Sequence, residues 1–558
     1  MLKKAYELLK LQDRKVFGYL IILLNISAIF ELFSVFIIVN TISMLSNDDY
    51  FINSMSTIIN YIGETAYLGI GICICSLSGL LKLYNIKKST HFVNSQRHSM
   101  SARLLEFYSS QTDIKKLSNP SDTVKSVLSE VDTVVITVYQ PLLNIATHST
   151  IVFLLILAML YKNITVSIIA ISVVCLSYLA VYAYKKSHIS KISYIRLKAN
   201  TERYQAPIFL LQNLLSIKAF GIRKYYLKKF NGPSKSYSDS MADAQFIAQS
   251  PKILIETVLI MLILCIILVI IQNDRSDEPL EHIIIDIVFF LVATGRLIPS
   301  AQSIYHAFSQ FRFGKSALLP IYDMLITKNV TKSKNKNQEI CDIRSIKLHS
   351  VNIKGADYDI YSKDINYKFL RGNTYLIEGP SGSGKSTLLS ILMGNLHPDV
   401  GSVEINQVPI QNLDLENLWF NHFAIVDQNP IVFTATLREN LINSSFRRLP
   451  TEKELKGCLQ LCELTDVWKR FNDGEGHVDE VGSGLSGGEL QRIALCRALL
   501  KNTDVLILDE FTSALDLALE LRIVDGMSQY LQNKITFIVS HRQTPQLLAN
   551  KRIELVNV

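Results

Sequence analysis

The chain has 558 residues, 49% of them hydrophobic, and a formal charge of +8. Single hydrophobic cores seldom grow beyond about 250–300 residues, so more than one domain is expected. The apolar content is too high for an ordinary soluble protein. Much of the Lys and Arg flanks apolar runs, which argues against nucleic acid as the partner of the positive charge.

Taken in chain order, the first apolar run covers about 16–45. It is too long for a secretory signal and lacks a clear small-residue cleavage site. Further runs at about 66–84, 134–160, 166–184, 253–271 and 283–304 give six expected membrane spans, the last interrupted by Arg296 and Pro299. Lys3, Lys4, Lys10, Arg14 and Lys15 precede the first span, and the first loop carries Asp48, Asp49 and Glu64. The positive-inside rule therefore places both termini in the cytosol. The inside connections 85–133 and 185–252 are too long for turns and are rich in helix-compatible sequence. They read as spanning helices that continue into the cytosol and reverse through short cross-pieces near 110–122 and 216–231, with breaks at Asn119-Pro120 and Asn231-Gly232-Pro233. Ionisable residues inside spans are expensive, so Glu31, Glu256, Asp286 and Arg296 are candidates for substrate contact or for an internal ion pair.

The eight cysteines show no disulfide framework. Cys73, Cys75, Cys175 and Cys265 read as small fillers in apolar runs, and Cys341, Cys458, Cys462 and Cys496 as reduced cytosolic thiols. The expected domains are a membrane domain over 1–326, a Lys/Asn/Thr-rich linker over 327–339 and a nucleotide-binding domain over 340–558.

Residues 379–386 read Gly-Pro-Ser-Gly-Ser-Gly-Lys-Ser. This is a phosphate loop, preceded by the expected strand 374–378 and followed by a helix from Thr387. Gly379, Ser381, Gly382, Ser383 and Gly384 would turn backbone N–H groups toward phosphate, with Thr387 opening the helix behind them. Lys385 would reach the β- and γ-phosphates of ATP, and Ser386 would hold Mg²⁺. The run Asp504-Val-Leu-Ile-Leu-Asp-Glu510 reads as a buried strand ending in two acids, Asp509 for Mg²⁺ and Glu510 to polarise the attacking water. Leu485-Ser-Gly-Gly-Glu489 opens another helix and provides a second anion site, Ser486, Gly487 and Gly488. One nucleotide needs only one phosphate loop, so a second copy of the domain is expected to supply this spare site.

These motifs resemble the ATP-binding cassette (ABC) family. Leu485–Glu489 resembles its signature, Gln428 in Val426-Asp-Gln-Asn-Pro430 its Q-loop, Ser513-Ala-Leu-Asp516 its D-loop, and His541 in Val539-Ser-His-Arg542 its switch histidine. The resemblance implies a six-span α-helical transmembrane domain with long cytosolic extensions, followed by an α/β P-loop cassette. It implies a homodimeric exporter in the bacterial cytoplasmic membrane, using ATP and Mg²⁺, with Gln428 also at the metal. Glu31 and Gly295-Arg-Leu-Ile-Pro-Ser-Ala301 resemble stretches in lipid-linked oligosaccharide flippases, which implies an amphipathic, lipid-linked saccharide as cargo. A peptide or lipid exporter and an ATP-gated channel remain alternatives; intact Glu510 and His541 favour steady hydrolysis over gating. The sequence departs from the family at Glu489, where Gln is usual, at 479–484, and at Gly355, where an adenine-stacking aromatic is expected and Tyr358 is the substitute.

Overall fold

A computed structural model describes residues 1–45, 63–110, 120–162, 164–272, 280–327, 338–353, 364–442, 446, 448–479, 482 and 484–555. The chain forms two compact units, one built from Met1–Ser109 and Ser118–Thr331, the other containing Lys332–Val558.

The first unit is helical. Short α1 (Leu2–Leu8) is followed by α2 (Leu11–Leu45), α3 (Glu64–Ser109), α4 (Gln140–Lys162) and α5 (Ile164–Gln212). Then come the short α6 (Leu214–Ala219), α7 (Arg223–Gln272) and α8 (Leu280–Phe313). At 1.5 Å per residue, the 46, 49 and 50 residues of α3, α5 and α7 give rods of about 70–75 Å, over twice a bilayer's hydrocarbon thickness. Among the described residues, three helical stretches are long and apolar enough to cross a membrane: Leu11–Phe33, Thr65–Ser109 and Ser121–Tyr161. A core of Ala28, Leu32, Leu155, Met159, Phe289 and Leu297 joins α2, α4 and α8. Two π turns, Ser126–Glu130 and Val135–Tyr139, interrupt the helix leading into α4. Glu130 on the first accepts from the fully buried Arg196 of α5 at 2.7 Å and from Asn200 at 2.8 Å. Removing one partner of such a buried pair strands the other charge.

One reversal differs from the sequence expectation. The chain turns at Asn213 and again at Gly221, whose φ of 68° suits glycine, and α7 then runs without a break through Asn231, Gly232 and Pro233. A proline removes one helical hydrogen bond, and α7 packs along α5, so the loss of one bond does not end it. The cross-piece is therefore α6, earlier and shorter than 216–231. The other expected cross-piece, near 110–122, lies largely outside the described residues. So does most of the linker.

The second unit is an α/β cassette. An antiparallel sheet is made by β1 (Ser345–Asn352), β2 (Ile365–Leu370), β4 (Val400–Ile405) and β5 (Val408–Pro409), in the order β2-β1-β4-β5. The central sheet contains β3 (Thr374–Glu378), β6 (Phe423–Val426), β7 (Val505–Asp509), β8 (Ile535–Val539) and β9 (Lys551–Glu554), all parallel, in the order β9-β3-β8-β7-β6. Its inner strands β3, β8 and β7 are largely apolar and buried because both faces are covered, whereas the edge strand β9 reads Lys-Arg-Ile-Glu and is mostly exposed. Val505, Ile507, Ile535 and Phe537 enter one core and Leu506, Leu508 and Ile538 the other, as the two-residue period of a strand requires. Helices α9 (Lys385–Leu392), α10 (Gly487–Lys501) and α11 (Leu517–Leu531) pack on this framework.

Candidate functional site

Parallel pairing determines where the chemistry gathers. β8 lies between β3 and β7, and Val539 stands opposite Asp509 in register. β6 flanks β7 on its other side, with Val426 opposite Leu508. The segments leaving these four carboxyl ends carry Gly379, Gln428, Glu510 and His541, so residues scattered over 163 positions share one sheet edge.

Beyond β3, Gly379, Gly382 and Gly384 have φ of 155°, 84° and 85°. A Cβ at Gly379 would fall 2.7 Å from the Leu555 carbonyl oxygen, so no side chain fits there. Gly384 caps α9 in the left-handed region and directs the loop into the helix. Lys385 Nζ donates to the carbonyls of Gly379 (2.7 Å) and Pro380 (3.0 Å), which holds the ammonium at the mouth of the loop. Ser383 Oγ is buried and has no hydrogen-bond partner among the described residues, while Ser381, Gly382 and Ser386 are exposed. A cradle with an unsatisfied hydroxyl, a cation at its rim and a helix amino terminus behind it fits a polyphosphate.

Asp509 ends β7 half-buried. Burial, then Glu510 and Asp427, push its carboxyl above the ordinary aspartate range, opposed by Lys385. A carboxylate whose ionisation is resisted in this way suits a divalent cation, which would restore the charge balance. Ser386, Gln428 and Asp509 are the oxygen donors that the sequence reading assigns to Mg²⁺.

Glu510 follows in an unusual conformation. Its φ is 48°, and its N–H donates to the Val539 carbonyl at 2.8 Å, so the backbone turns sharply as it leaves the strand. A left-handed non-glycine residue costs about 1–2 kcal/mol and here turns the carboxylate across the sheet edge. Gln428 Nε2 donates to one carboxylate oxygen at 2.7 Å, and His541 Nε2 lies 3.8 Å from the other. Gln428, Glu510 and His541 thus meet at one point.

The signature segment opens α10. Ser486 caps the helix by accepting from Glu489 N (3.2 Å), and the Glu489 carboxylate accepts from Ser486 N (2.8 Å) and pairs with Arg470 (3.0 Å). Glu489 in place of the usual Gln thus completes a capping box. From the next turn, Gln491 Nε2 donates to Ser513 Oγ (2.7 Å), and its Oε1 accepts from Ala514 N (2.9 Å), tying the helix to the Ser513–Asp516 loop. Asp516 then caps α11 through Leu519 N (2.9 Å). Tyr358, expected against adenine, and Gly355 lie outside the described residues, as do 480, 481 and 483 of the segment before the signature.

In the helical unit, Glu31 of α2 accepts from Arg296 of α8 at 2.9 Å and from Lys82 of α3 at 3.0 Å. Both cations are about half exposed, whereas the carboxylate is mostly covered. Among the described residues, two cations on one carboxylate leave a net positive charge. Lys82 is missed by the sequence reading, although a lysine inside the apolar run 66–84 is the same signal that selects Arg296. Glu256 pairs instead with Lys252 one turn away (3.7 Å), and the Asp286 side chain lies outside the described residues. An apolar pocket of about 410 Å³ lies between α4, α5 and α8, lined by Val174, Tyr178, Tyr182, Leu297, Ala301 and Tyr305, among others. Leu297 directly follows Arg296 in the chain.

Comparison with known proteins matches residues 362–513 to the ABC transporter family model. The chain is 32% identical over 274 residues to the beta-(1→2)glucan export ATP-binding/permease protein NdvA of Bartonella bacilliformis, covering 45% of each chain. It is 29% identical over 320 residues to NdvA of Agrobacterium fabrum, covering 55% of this chain and 52% of that one. The matches therefore span about half the length of these relatives. The solved structure of a bacterial Atm1-family ABC exporter with ATP bound superposes with a TM-score of 0.76 at 17% identity, over 98% of this chain and 93% of that chain.

Proposed function

Since the chain belongs to the ABC transporter family, a membrane-type helical domain fused to an ATP-binding domain, we propose that it hydrolyses ATP to move an amphipathic, lipid-linked saccharide outward across the bacterial cytoplasmic membrane. It works as a homodimer, with six spans per chain, both termini in the cytosol and the long helices continuing into the cytosol. The observation that carries the hydrolytic part is the meeting of Gln428, Glu510 and His541 beside the phosphate loop. The loop amides and Lys385 bind the phosphates. Ser386, Gln428 and Asp509 would hold Mg²⁺, which would supply neutralisation of phosphate charge. Glu510 polarises the water and takes its proton as the bond to the γ-phosphorus forms and the bridging bond to the β-phosphate breaks. Gln428 orients that carboxylate, and His541 faces the γ-phosphate side.

The substrate reading rests on Arg296 and Lys82, which share Glu31, and on the apolar pocket of the same helical unit. A guanidinium binds phosphate oxygens through two parallel hydrogen bonds, so an anionic headgroup displaces Glu31 as its partner, while the pocket takes apolar chain. Export of a glucan by the NdvA relatives supports a saccharide-containing cargo. Purified protein in proteoliposomes, supplied in turn with lipid-linked saccharide, peptide and phospholipid, tests the reading. Lipid-linked saccharide should stimulate ATP hydrolysis and be translocated. Glu510→Gln should keep ATP binding and lose about 10²–10⁴-fold in turnover. Arg296→Ala and Lys82→Ala should raise the substrate concentration needed for stimulation. Stimulation by peptide alone, or parent-rate flipping by a stable Arg296→Ala protein, would sink the substrate assignment.

A further inference from the structure

Arg542, immediately after His541, does not point at the nucleotide edge. Its guanidinium donates to the carbonyl oxygens of Leu515 (2.7 Å) and Ser513 (2.8 Å) and to Glu520 Oε2 (2.9 Å). Glu520 is only 1% exposed, and its other oxygen accepts from the equally buried Thr512 at 2.9 Å. One residue of the switch segment is thus bonded to two successive parts of the Ser513–Asp516 loop and to the helix that the loop caps. Gln491 grips the same loop from the signature helix.

We propose that the Glu520–Arg542 pair is a positioning device for hydrolysis, which holds the Ser513–Asp516 loop and the switch segment as one body, so that His541 and the loop cannot move independently. Three acceptors, one from α11 and two from the loop, surround a single planar fork, and only arginine supplies donors in that arrangement. Glu520 lies four residues beyond Asp516, on the first turn of α11, so it transmits the position of that helix to the fork. Neither residue needs to touch ATP. A charge-assisted bond to a buried carboxylate costs most when one partner is lost, which makes the clasp nearly all-or-none.

The inference rests on the ATP-hydrolysing reading above, and two readouts separate their failures. The first is kinetic, on the full-length protein in nanodiscs. Glu520→Gln keeps shape and removes charge. It should lower kcat about tenfold, with KM for ATP changing less than about threefold, because positioning is lost and phosphate binding is not. Arg542→Lys should behave like Glu520→Gln, since an ammonium cannot span the three acceptors. The double variant should be no slower than the worse single one, the mark of one shared interaction. Multiplying effects in the double variant, or a parent kcat in Glu520→Gln, would overturn the proposal. The second readout is hydrogen exchange of the nucleotide-free protein. Amides of Ser513, Ala514 and Leu515, now bonded to Glu510, Gln491 and Thr512, should lose protection in Glu520→Gln together with 540–542. If the parent shows no ATPase, the functional reading fails, and exchange alone decides the clasp. Unchanged protection in both segments overturns it. A merely structural role would instead lower protection throughout the cassette and reduce ATP binding in step with kcat.

Discussion

Asp509 and Glu510 are neighbours with different surroundings, and Asp509 carries the clearer pH signature. Its pKa is raised chiefly by burial and then by Glu510 and Asp427. A raised carboxyl favours the native state below the ordinary value, and this contribution is lost as pH rises through the elevated pKa. Ligand-free Asp509→Asn protein, which has no carboxyl to ionise, should therefore melt higher than the parent at neutral pH, with the difference shrinking on acidification. A metal held by Asp509 would need the ionised form, so on that assignment Mg²⁺ affinity of the parent should begin to fall at a pH above the ordinary aspartate value of about 4. Calorimetric titration with Mg²⁺ and a non-hydrolysable ATP analogue across pH checks this. A flat profile, or the same profile in Asp509→Asn, would refute it. At this scale the sequence names the carboxylates but not their inequality, because burial is a tertiary effect and the third acid, Asp427, is brought in just beyond the end of the neighbouring strand β6. Lys82 was legible in principle. Its pairing with Glu31, 51 positions away, was not.

Elements in the cassette are held at their ends. Glu489 shows how. Its pKa is lowered because the bonds from Arg470 and Ser486 outweigh the burial that would raise it. A depressed carboxylate contributes stability that is present above its unfolded value and is lost as pH falls through the folded one. Glu489→Ala should destabilise the cassette by about 1 kcal/mol at neutral pH, since Ser486 N–H loses its acceptor and Arg470 its partner. Glu489→Gln keeps the backbone bond and should melt within a fraction of that loss. Thermal denaturation at neutral and acid pH tests both, and equal melting of the alanine variant and the parent at neutral pH would remove the cap from the account. The strands around the phosphate loop and before Glu510 were legible as unbroken apolar runs. The reversal between α5 and α7 was not, because Pro233 is a local signal that packing along α5 overrides.

For the whole molecule, the presence of two glycine-bearing helix starts, α9 and α10, within one cassette is the consequential feature. If the site is shared between two copies, one chain carrying Lys385→Ala and another carrying Ser486→Arg complement each other. In the mixed dimer one site collects both defects and the other is intact. Purified mixed dimers should hydrolyse ATP when neither parent homodimer does. Mixed dimers as inactive as their parents would count against a site shared between chains.

The sequence by itself determined the kinds of element and the chemistry. Apolar runs too long for a soluble core, a glycine-rich loop between strand and helix, and an acid pair ending a buried strand are each read within a few residues. Local sterics and solvation act over that same range. Tertiary structure alone decided which residues meet: Gln428 with Glu510 across two parallel strands, Glu31 with both Lys82 and Arg296, and Arg542 with Glu520 under the loop. Those partners are selected by strand order and helix packing, and both arise chiefly from burying apolar surface, a long-range effect that no local stretch of sequence specifies.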